Sequence, residues 1–376
     1  MSPPAASLAL VSAADAAGRL GIRPASLYSY VSRGLVRSFA SPHDPRQRLY
    51  ASDDVEALVK RRTRFRRPAA AAATALDWGL PVLETHLTQI ADGRLLYRGQ
   101  DAVALAATAS FEEVAELLLG RPLGTPPGAL PALAPRLSEM PDFLGRAMGL
   151  LATLGEHASN PAAILQAVVM AASFSQPQGP VHDHFARAWA VPEPGADLIR
   201  RCLVLFADHE LSTSAFAVRV VASTGARLAE AVVAGLAALS GPRHGGATDR
   251  VRALFEQASE PGGPGRLAEA LRRDGLLIDF QHPLYPEGDP RARAILENLP
   301  LRPGDADILA ELVAAGGEAT VDTALVLIER GLALPRGAAF MLFAVGRTAG
   351  WLAHALEQQG QEALIRPRAR YVVEAA

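Results

Sequence analysis

The chain has 376 residues, 49% of them hydrophobic and 20% charged, with a formal net charge of −2. This length exceeds one ordinary domain, and the composition is typical of a soluble protein with a substantial core, so we expect two or three domains. No run of about 18 apolar residues is free of charges and glycine, which argues against a membrane span. The single cysteine, Cys202, excludes an internal disulfide, and the start at Met1 lacks a basic and apolar leader, so we expect a cytoplasmic protein.

The charge is unevenly distributed along the sequence. Residues 1–67, which we call the head, carry 12 Lys and Arg against 5 Asp and Glu, a net charge of +7 that leaves −9 for the remainder. A positive surface attracts phosphate backbones. A basic head on an acidic body therefore indicates different partners for the two parts.

The head is predicted to form helices and a short pair of strands. Capping and turn residues predict, in order, a helix over 13–20 after Ser12, a helix from Pro24 to Gly34, strands over 36–39 and 48–50, and a helix over 53–62. Two short helices around a tight turn form a helix-turn-helix. With the strand pair as a wing, the head is similar to the winged helix-turn-helix DNA-binding domain of MerR-type regulators.

In such a domain the second helix enters the major groove and basic wing residues contact phosphates. The resemblance therefore implies a DNA interface formed by Ser26, Tyr28, Ser29, Ser32, Arg33, Arg37, Arg46 and Arg48. The residues alone leave three alternatives open: Tyr28 packs internally, the arginines form a solvated face, or the domain contacts another protein. The basic run that ends at Arg67 precedes an alanine-rich linker over 68–74.

The body, residues 75–376, is predicted to be all-α. Alternation around Asp92-Gly93 predicts one small hairpin, and no sustained period of two occurs elsewhere. The stretch 211–239 is predicted to be one long alanine-rich helix, with His209 before it and His244 after it in a Gly/Pro turn. The other predicted helices cover 111–120, 143–154, 161–173, 196–206, 251–257, 265–273, 306–315 and 323–331.

Five short motifs follow one another along the body: Ala207–Ser214, Gly241–Ala247, Gln281–Tyr285, Asp289–Ala292 and Gly346–Trp351. In order and spacing they resemble those of the citrate synthase family. The resemblance implies an all-α citrate synthase fold with a large subdomain (75–242 and 326–376), a small subdomain (243–325) and an obligate homodimer.

The family reaction condenses acetyl-CoA with oxaloacetate, gives citrate and CoA, and uses no cofactor. Its first difficulty is to remove a proton from a weakly acidic methyl group, which a carboxylate achieves only when the thioester oxygen is stabilised. The resemblance implies that Asp322 is the base, that His244 donates to the thioester oxygen, and that His282 polarises the oxaloacetate ketone. His244 precedes a predicted helix start, which disfavours a positive imidazole.

Oxaloacetate is a dicarboxylate, which planar guanidinium groups bind with paired hydrogen bonds. The resemblance implies that Arg291 and Arg347 bind it together with His209, and that Arg366 reaches it from the partner subunit. His182 and His184 flank Asp183, but this segment is predicted to be a polar loop and spacing supplies no third ligand, so we expect no metal.

The sequence also departs from the family pattern. Two glycines before the motif histidine are replaced in Asp279-Phe280-Gln281-His282, and no basic residue follows His282 where common members offer one toward coenzyme A phosphates. Ser212 replaces an asparagine, and the family's Phe-x-Ser-Gly does not follow Asp322. Two alternatives to citrate synthesis therefore stay open: a 2-methylcitrate synthase that uses propionyl-CoA, and a DNA-binding metabolite sensor with little or no catalysis.

Overall fold

The structure is a computed structural model that describes residues 10–20, 22, 27–32, 35–41, 47–56, 58, 83–126, 128, 140, 142–260, 262–263, 265, 280, 282–315, 317–361, 363–369 and 371. The chain divides into two compact units, Met1–Glu84 and Thr85–Ala376. The first contains the head and the second contains most of the body. The predicted linker over 68–74 lies outside the described residues, as does the predicted helix over 265–273 apart from Gly265.

Helices and a three-stranded antiparallel sheet form the head. The elements are β1 (Leu10–Ser12), α1 (Ala13–Leu20), α2 (Leu27–Ser32), β2 (Ser38–Ala40) and β3 (Arg48–Ala51), and residues 52–56 are also helical. The strand order is β1-β3-β2, so β3 is central. The predicted helix over 13–20 is confirmed, whereas β1 is too short to give a period-two signal in the sequence.

Local capping and one apolar cluster hold the head together. The amide N–H of Asp15 donates to Ser12 Oγ at 3.1 Å, which is the predicted N-cap bond of α1. Ala16 and Leu20 on α1 are buried against Leu27 at the start of α2 and Val55 in the last helical segment. The head therefore has a hydrophobic core of its own.

The body begins with a small antiparallel sheet and is otherwise helical over the residues described. Its strands are β4 (Thr88–Ala91), β5 (Arg94–Tyr97) and β6 (Gln100–Asp101). Asp92 and Gly93 adopt φ values of 51° and 70°, as a type I′ turn requires, so the predicted hairpin is confirmed and β6 extends it. The α-helices are α3 (Ala102–Thr108), α4 (Phe111–Leu119), α5 (Phe143–Ala152), α6 (Pro161–Ser173), α7 (Val181–Ala188), α8 (Gly195–Leu205), α9 (Thr213–Ala222), α10 (Leu228–Leu239), α11 (Ala247–Ala258), α12 (Pro290–Leu296), α13 (Pro303–Ala314), α14 (Val321–Gly331) and α15 (Ala338–Gln359), with a 3₁₀ helix at Gly155–Ser159.

The prediction of one long helix over 211–239 is wrong. The chain forms α9 and α10 instead, with a break over Ser223–Arg227 in which Gly225 has a φ of 82°. A left-handed residue ends an α-helix, and apolar spacing that resumes beyond the break hides it from a periodicity analysis. The two helices pack against each other, so the chain reverses between them.

The prediction of a polar loop around His182 and His184 is also wrong. Both histidines lie in α7, where His184 is 5% exposed and its Nε2 is 2.8 Å from Ser173 Oγ. Eight residues are too few to show a helical period when only Val181, Phe185 and Ala186 supply apolar contacts.

Helix α15 is the central element of the body. It packs against α4, α6, α8, α9, α10 and α14. Among the described helices it is long and apolar enough to cross a membrane by length and composition, but 89% of that window is buried inside the body. Because α15 is covered on nearly all sides, it lacks the amphipathic period by which helices are predicted, and the sequence pattern does not reveal it.

Two glycines allow α15 to approach the segment that precedes His209. A Cβ at Gly350 would lie 2.3 Å from Asp208 Oδ1 and 2.5 Å from the Ala207 oxygen, and a Cβ at Gly346 would lie 3.0 Å from the Leu203 oxygen. The Gly350 amide N–H donates to the Ala207 carbonyl at 2.9 Å. Residues 203–208 are therefore held directly against the backbone of α15.

We expect Gly350→Ala to destabilise the body, because the added methyl group overlaps atoms that the backbone itself holds in place. Overpacking of this kind typically costs about 1–3 kcal/mol. Gly304→Ala is the matched control: an added Cβ there has nothing within 4 Å, and alanine favours the helix in which it lies. Thermal unfolding of both variants should show a lowered midpoint for Gly350→Ala alone; equal midpoints would contradict the close approach.

Candidate active site

The segment that carries His209 is anchored by a buried tyrosine and a buried acid. The Tyr97 hydroxyl lies 3.1 Å from the carbonyl oxygens of Val204 and Leu205 and 3.2 Å from that of Asp208. The Asp208 side chain accepts from Thr88 Oγ1 at 2.5 Å and lies 3.3 Å from His354 Nε2 on α15. Tyr97, Asp208 and His354 are all fully buried. The backbone that leads to His209 is therefore held in place by buried hydrogen bonds.

Arg347 extends from α15 toward the same segment. Its Nε donates to the Phe206 carbonyl at 3.0 Å and its Nη1 to Ser212 Oγ at 3.3 Å. The side chain is 1% exposed, and among the described contacts none pairs it with a carboxylate. Burial lowers the pKa of Arg347 to about 10, with Asp208 opposing and Arg291 adding to the decrease, so the group stays positive at neutral pH.

His244 reaches this region because α9 and α10 fold back on each other. It lies in the turn after α10, and its Nε2 is 2.9 Å from Ser214 Oγ in the first turn of α9. The Phe343 ring stands edge-on to His244 at a centroid distance of 5.9 Å and lies 5.0 Å from Cζ of Arg347. Phe343 therefore bridges the imidazole and the guanidinium.

His282 joins His209 through an aromatic group of three rings. The His209 and His282 centroids are 5.2 Å apart, and Tyr285 lies 4.9 Å from His282 and 5.7 Å from His209. The Tyr285 hydroxyl is 3.0 Å from His209 Nε2. Neither Tyr285 nor Ser214 is assigned a role by the sequence motifs, although each lies within five residues of a motif histidine.

Arg291 lies next to this aromatic group, against the ring of Tyr285. It lies in the first turn of α12, is 2% exposed, and its Cζ is 5.4 Å from the Tyr285 centroid. Its Nε and Nη2 donate to the two oxygens of Asp289 at 3.0 and 2.7 Å. Burial opposes this charge, but the paired carboxylate outweighs it and raises the pKa of Arg291. The sequence motif predicts Arg291 as a site residue. It does not predict that Asp289 accepts hydrogen bonds from two of the Arg291 donors.

All three histidines are neutral at neutral pH. Burial lowers the pKa of His244 to about 4, with Arg347 adding to it. Burial and then Arg291 lower the pKa of His282 to about 4 against an opposing effect of Asp289. Burial, Arg291 and Arg347 also take the pKa of His209 well below its ordinary value of 6.5. The cluster thus combines two cations with neutral imidazoles.

A backbone contact fixes the tautomer of His282. The Leu284 amide N–H donates to His282 Nδ1 at 3.2 Å. Because a backbone N–H cannot accept a hydrogen bond, Nδ1 carries a lone pair, and the proton of the neutral ring is on Nε2. His282 therefore presents an N–H donor at Nε2, as polarisation of a carbonyl oxygen requires.

Five of the seven predicted residues thus lie in two contact groups, His209 with His282 and Arg291, and His244 with Arg347. The electrostatic effects of Arg347 and His244 on His209 show that the two groups are neighbours. Asp322 is half-buried in the first turn of α14, which packs against α11 and α15. The Glu318 amide N–H donates to the Phe280 carbonyl at 2.8 Å, so the segment leading to Asp322 lies against the segment leading to His282.

Arg366 is not part of the contacts described above. It is exposed in a segment without helix or strand, whose Ile365 amide N–H donates to Ser223 Oγ at 3.1 Å. Ser223 follows the end of α9, whereas Ser214 is at its start, and nine residues of helix span about 13 Å. Arg366 is thus near the opposite end of α9 from the contact between Ser214 and His244.

Two of the predicted DNA-contacting arginines differ in their partners. Arg37 donates from its backbone N, Nε and Nη2 to Asp54 at 2.8, 2.9 and 3.0 Å, so a carboxylate neutralises it. Arg48 Nη2 donates to the backbone oxygen and to Oγ of Ser38, at 3.2 and 2.7 Å, both neutral acceptors.

The described residues contain no group of three metal-ligating side chains. Outside the described residues lie Ser26, Arg33 and Arg46 and the side chains of Tyr28, Ser29 and Ser32.

Comparison with known sequences identifies relatives of the body. A family model described as citrate synthase, C-terminal domain, matches residues 75–191 and 158–368. The citrate synthase of Mycolicibacterium smegmatis is 31% identical over 338 residues, which cover 74% of this chain and 88% of the relative. That of Haloferax volcanii is 29% identical over 359 residues, 79% of this chain and 94% of the relative. The chain spans about half the length of other curated relatives that it matches: 48% of putative citrate synthase 2 of Mycobacterium tuberculosis and 50% of citrate synthase 2 of Bacillus subtilis.

Solved structures share the fold. Citrate synthase from Thermotoga maritima aligns with a TM-score of 0.68 and 22% identity over 79% of this chain and 95% of that chain. The Thermoplasma acidophilum enzyme, in a ternary complex with carboxymethyl coenzyme A and oxaloacetate, aligns with a TM-score of 0.63 and 23% identity over the same shares. The body has the helical fold of these proteins, and with the match over 75–368 the chain belongs to the citrate synthase family.

Proposed function

We propose that the chain condenses acetyl-CoA with oxaloacetate and releases citrate and CoA. The observation that carries this proposal is the buried cluster of two guanidinium groups and three neutral imidazoles. Two cations with adjacent neutral donors are complementary to a dicarboxylate that also contains a ketone. The family relationship supports the same chemistry, as do the carboxymethyl coenzyme A and oxaloacetate bound to the Thermoplasma acidophilum enzyme.

The first step forms an enolate from the acyl thioester. Asp322 takes a proton from the methyl carbon, and the C–H electron pair moves into a C=C bond while negative charge develops on the thioester oxygen. His244 donates a hydrogen bond to that oxygen. We assign the Ser214 hydroxyl as the donor to Nε2, which leaves the proton of the neutral ring on Nδ1 as the donor to the thioester oxygen. A neutral donor avoids adding a third positive charge to the site.

The second step forms the carbon–carbon bond. The enolate carbon attacks the ketone carbon of oxaloacetate, the C=O π bond breaks, and the ketone oxygen takes the proton of His282 Nε2 and becomes the citryl hydroxyl. Water then adds to the thioester carbonyl carbon and the C–S bond breaks. One proton of the water goes to the departing CoA thiolate, the other returns to His282, and Asp322 releases to solvent the proton that it took from the methyl carbon. Arg291, Arg347 and His209 hold the oxaloacetate carboxylates and exclude other orientations.

A homodimer completes the proposed site. In a single chain the exposed Arg366 is near the end of α9 away from the histidines. We assign it to the site of the partner subunit, where it adds a third guanidinium for the dicarboxylate.

Propionyl-CoA is the alternative acyl donor, because one methylene group is worth only about 1–3 kcal/mol in a pocket. A metabolite sensor is the alternative of a different class. The presence of Asp322, His244 and His282 together favours an enzyme, because a sensor needs the arginines but not the base. Thiol release with acetyl-CoA and with propionyl-CoA, each with and without oxaloacetate, separates these possibilities.

The head is proposed to bind DNA as a winged helix-turn-helix. Its net charge of +7 and its order of two helices, a β2–β3 hairpin and a further helical segment support this assignment. The central contacts are assigned to α2, and Arg48 is assigned to the phosphate backbone.

Replacement of the proposed base or donor should abolish most of the activity while the protein stays folded. We expect Asp322→Asn to reduce thiol release to near background. Loss of one oxyanion donor in His244→Ala should lower kcat by about 10²–10³-fold. Asp183→Asn and His157→Ala are matched controls on other elements and should retain wild-type turnover. Wild-type kcat in either site variant would remove that residue from the mechanism.

The pH dependence of the reaction should reflect the lowered histidine pKa values. Because His244 and His282 titrate near pH 4 in the folded protein, both remain neutral as the pH falls from about 8 to about 5. Below that range, proton uptake by His282 places an N–H at Nδ1 against the Leu284 amide. We therefore expect kcat/KM, followed by thioester absorbance, to stay level until about pH 5 and then fall. An acid limb centred near 6.5 would contradict the neutral cluster.

The two head arginines give a matched test of DNA binding. Arg48→Ala should weaken binding to duplex DNA and lower the slope of log K against log[salt] by about 1, because one phosphate contact is lost. Arg37→Ala should change the slope less, because Asp54 already neutralises Arg37. Fluorescence anisotropy of labelled duplex DNA at several salt concentrations measures both slopes. Absence of salt-dependent binding by the intact chain would refute the assignment.

A further inference from the structure

Tyr285 lies at the centre of the cluster without a role in the chemistry above. Its side chain is 2% exposed and contacts the rings of His209 and His282 and the guanidinium of Arg291. A turn fixes its position: the Tyr285 amide N–H donates to the His282 carbonyl at 2.9 Å, and its own carbonyl accepts from Gly288 at 3.1 Å. The phenol therefore cannot move far from the two imidazoles.

The Tyr285 hydroxyl and the His209 imidazole share one hydrogen bond, 3.0 Å long. Burial raises the pKa of Tyr285 to about 12, so the phenol keeps its proton, and the neutral His209 ring also carries one. The two side chains together carry two protons that can be donated, the Tyr285 hydroxyl proton and the N–H proton of His209. One of these forms the hydrogen bond between them. Whichever tautomer His209 adopts, one donor remains, either the Tyr285 O–H or the His209 Nδ1–H.

The charged groups around the pair determine what can accept this proton. Arg291 and Arg347 both act electrostatically on His209 and on Tyr285, and guanidinium groups offer no acceptor. Two carboxylates also act on Tyr285: Asp289, which already accepts two bonds from Arg291, and Glu210, which follows His209 in the chain. A ligand oxygen with negative charge or a carbonyl dipole is the complement of this arrangement.

We propose that Tyr285 is a substrate-positioning residue of the oxaloacetate site. Its hydroxyl and the His209 imidazole act as one unit that presents a single donor to a carboxylate or ketone oxygen of oxaloacetate. This hydrogen bond fixes the orientation of oxaloacetate beside His282. Ligands that lack an oxygen acceptor opposite this donor should bind more weakly. The inference rests on the proposed function, because it takes oxaloacetate as the ligand.

Tyr285→Phe removes the hydroxyl and keeps the ring. We expect oxaloacetate to bind about tenfold more weakly by calorimetry, with a matching rise in its KM, because one buried hydrogen bond to a charged group is lost. The KM for acetyl-CoA and the unfolding midpoint should change little. Tyr50→Phe, which removes the hydroxyl of a tyrosine in the core of the head, is the matched control and should leave the oxaloacetate KM unchanged.

A double-mutant cycle tests whether the two residues act together. In His209→Asn the substitution Tyr285→Phe should add less than about a twofold further loss, because the unit is already broken. Full additivity of the two losses would show that Tyr285 acts independently of His209 and would overturn the proposal.

If the Phe variant does not fold, difluorotyrosine at position 285 keeps the shape of the ring and lowers the phenol pKa into the accessible range. The oxaloacetate KM should then rise with pH in this variant and not in the wild type; a flat profile would overturn the proposal. A wild-type protein that neither binds oxaloacetate nor releases thiol would refute the proposed function itself. An active wild type with an unchanged Tyr285→Phe variant would refute this inference alone.

Discussion

A chain reversal at Ser223–Arg227 brings together residues that a continuous helix would keep apart. His244 lies 35 positions after His209 in the sequence, and a single α-helix over residues 211–239 would span about 43 Å. Because α9 and α10 pack against each other instead, Ser214 at the start of one lies 2.9 Å from His244 beyond the end of the other. Helix α15 packs against both, and Gly235 of α10 lies directly against Trp351 of α15. The position of the imidazoles relative to Arg347 follows from this packing.

Burial also determines which side chains of the site carry a charge. A buried cation is costly unless it is compensated, and the two arginines are compensated differently. Arg291 has a bidentate carboxylate partner, whereas Arg347 donates to a carbonyl and a hydroxyl that carry no charge. With this much positive charge in a low-dielectric region, further protons are disfavoured, and the three histidines stay neutral. In the proposed function, the same burial favours the binding of a small anion between the two guanidinium groups.

The sequence predicts the family, most helices and the five residues that meet in the cluster, because each residue lies in a motif whose composition is itself informative. Periodicity fails where its physical basis is absent: α15 is buried on nearly all sides, and the break at Gly225 leaves the apolar spacing intact. Contacts between distant segments are invisible to motif analysis. The bond between Tyr285 and His209 and the ion pair between Arg37 and Asp54 depend on tertiary structure, and only coordinates reveal them.

The central claim is that the cluster forms a single site for a dicarboxylate with a ketone. A crystal structure of the protein with oxaloacetate at neutral pH tests it most directly. We predict one ligand per body, with carboxylate oxygens on Arg291 and Arg347 and the ketone oxygen about 3 Å from His282 Nε2. A cluster that stays empty at saturating oxaloacetate, or a ligand bound away from these three side chains, would contradict the account.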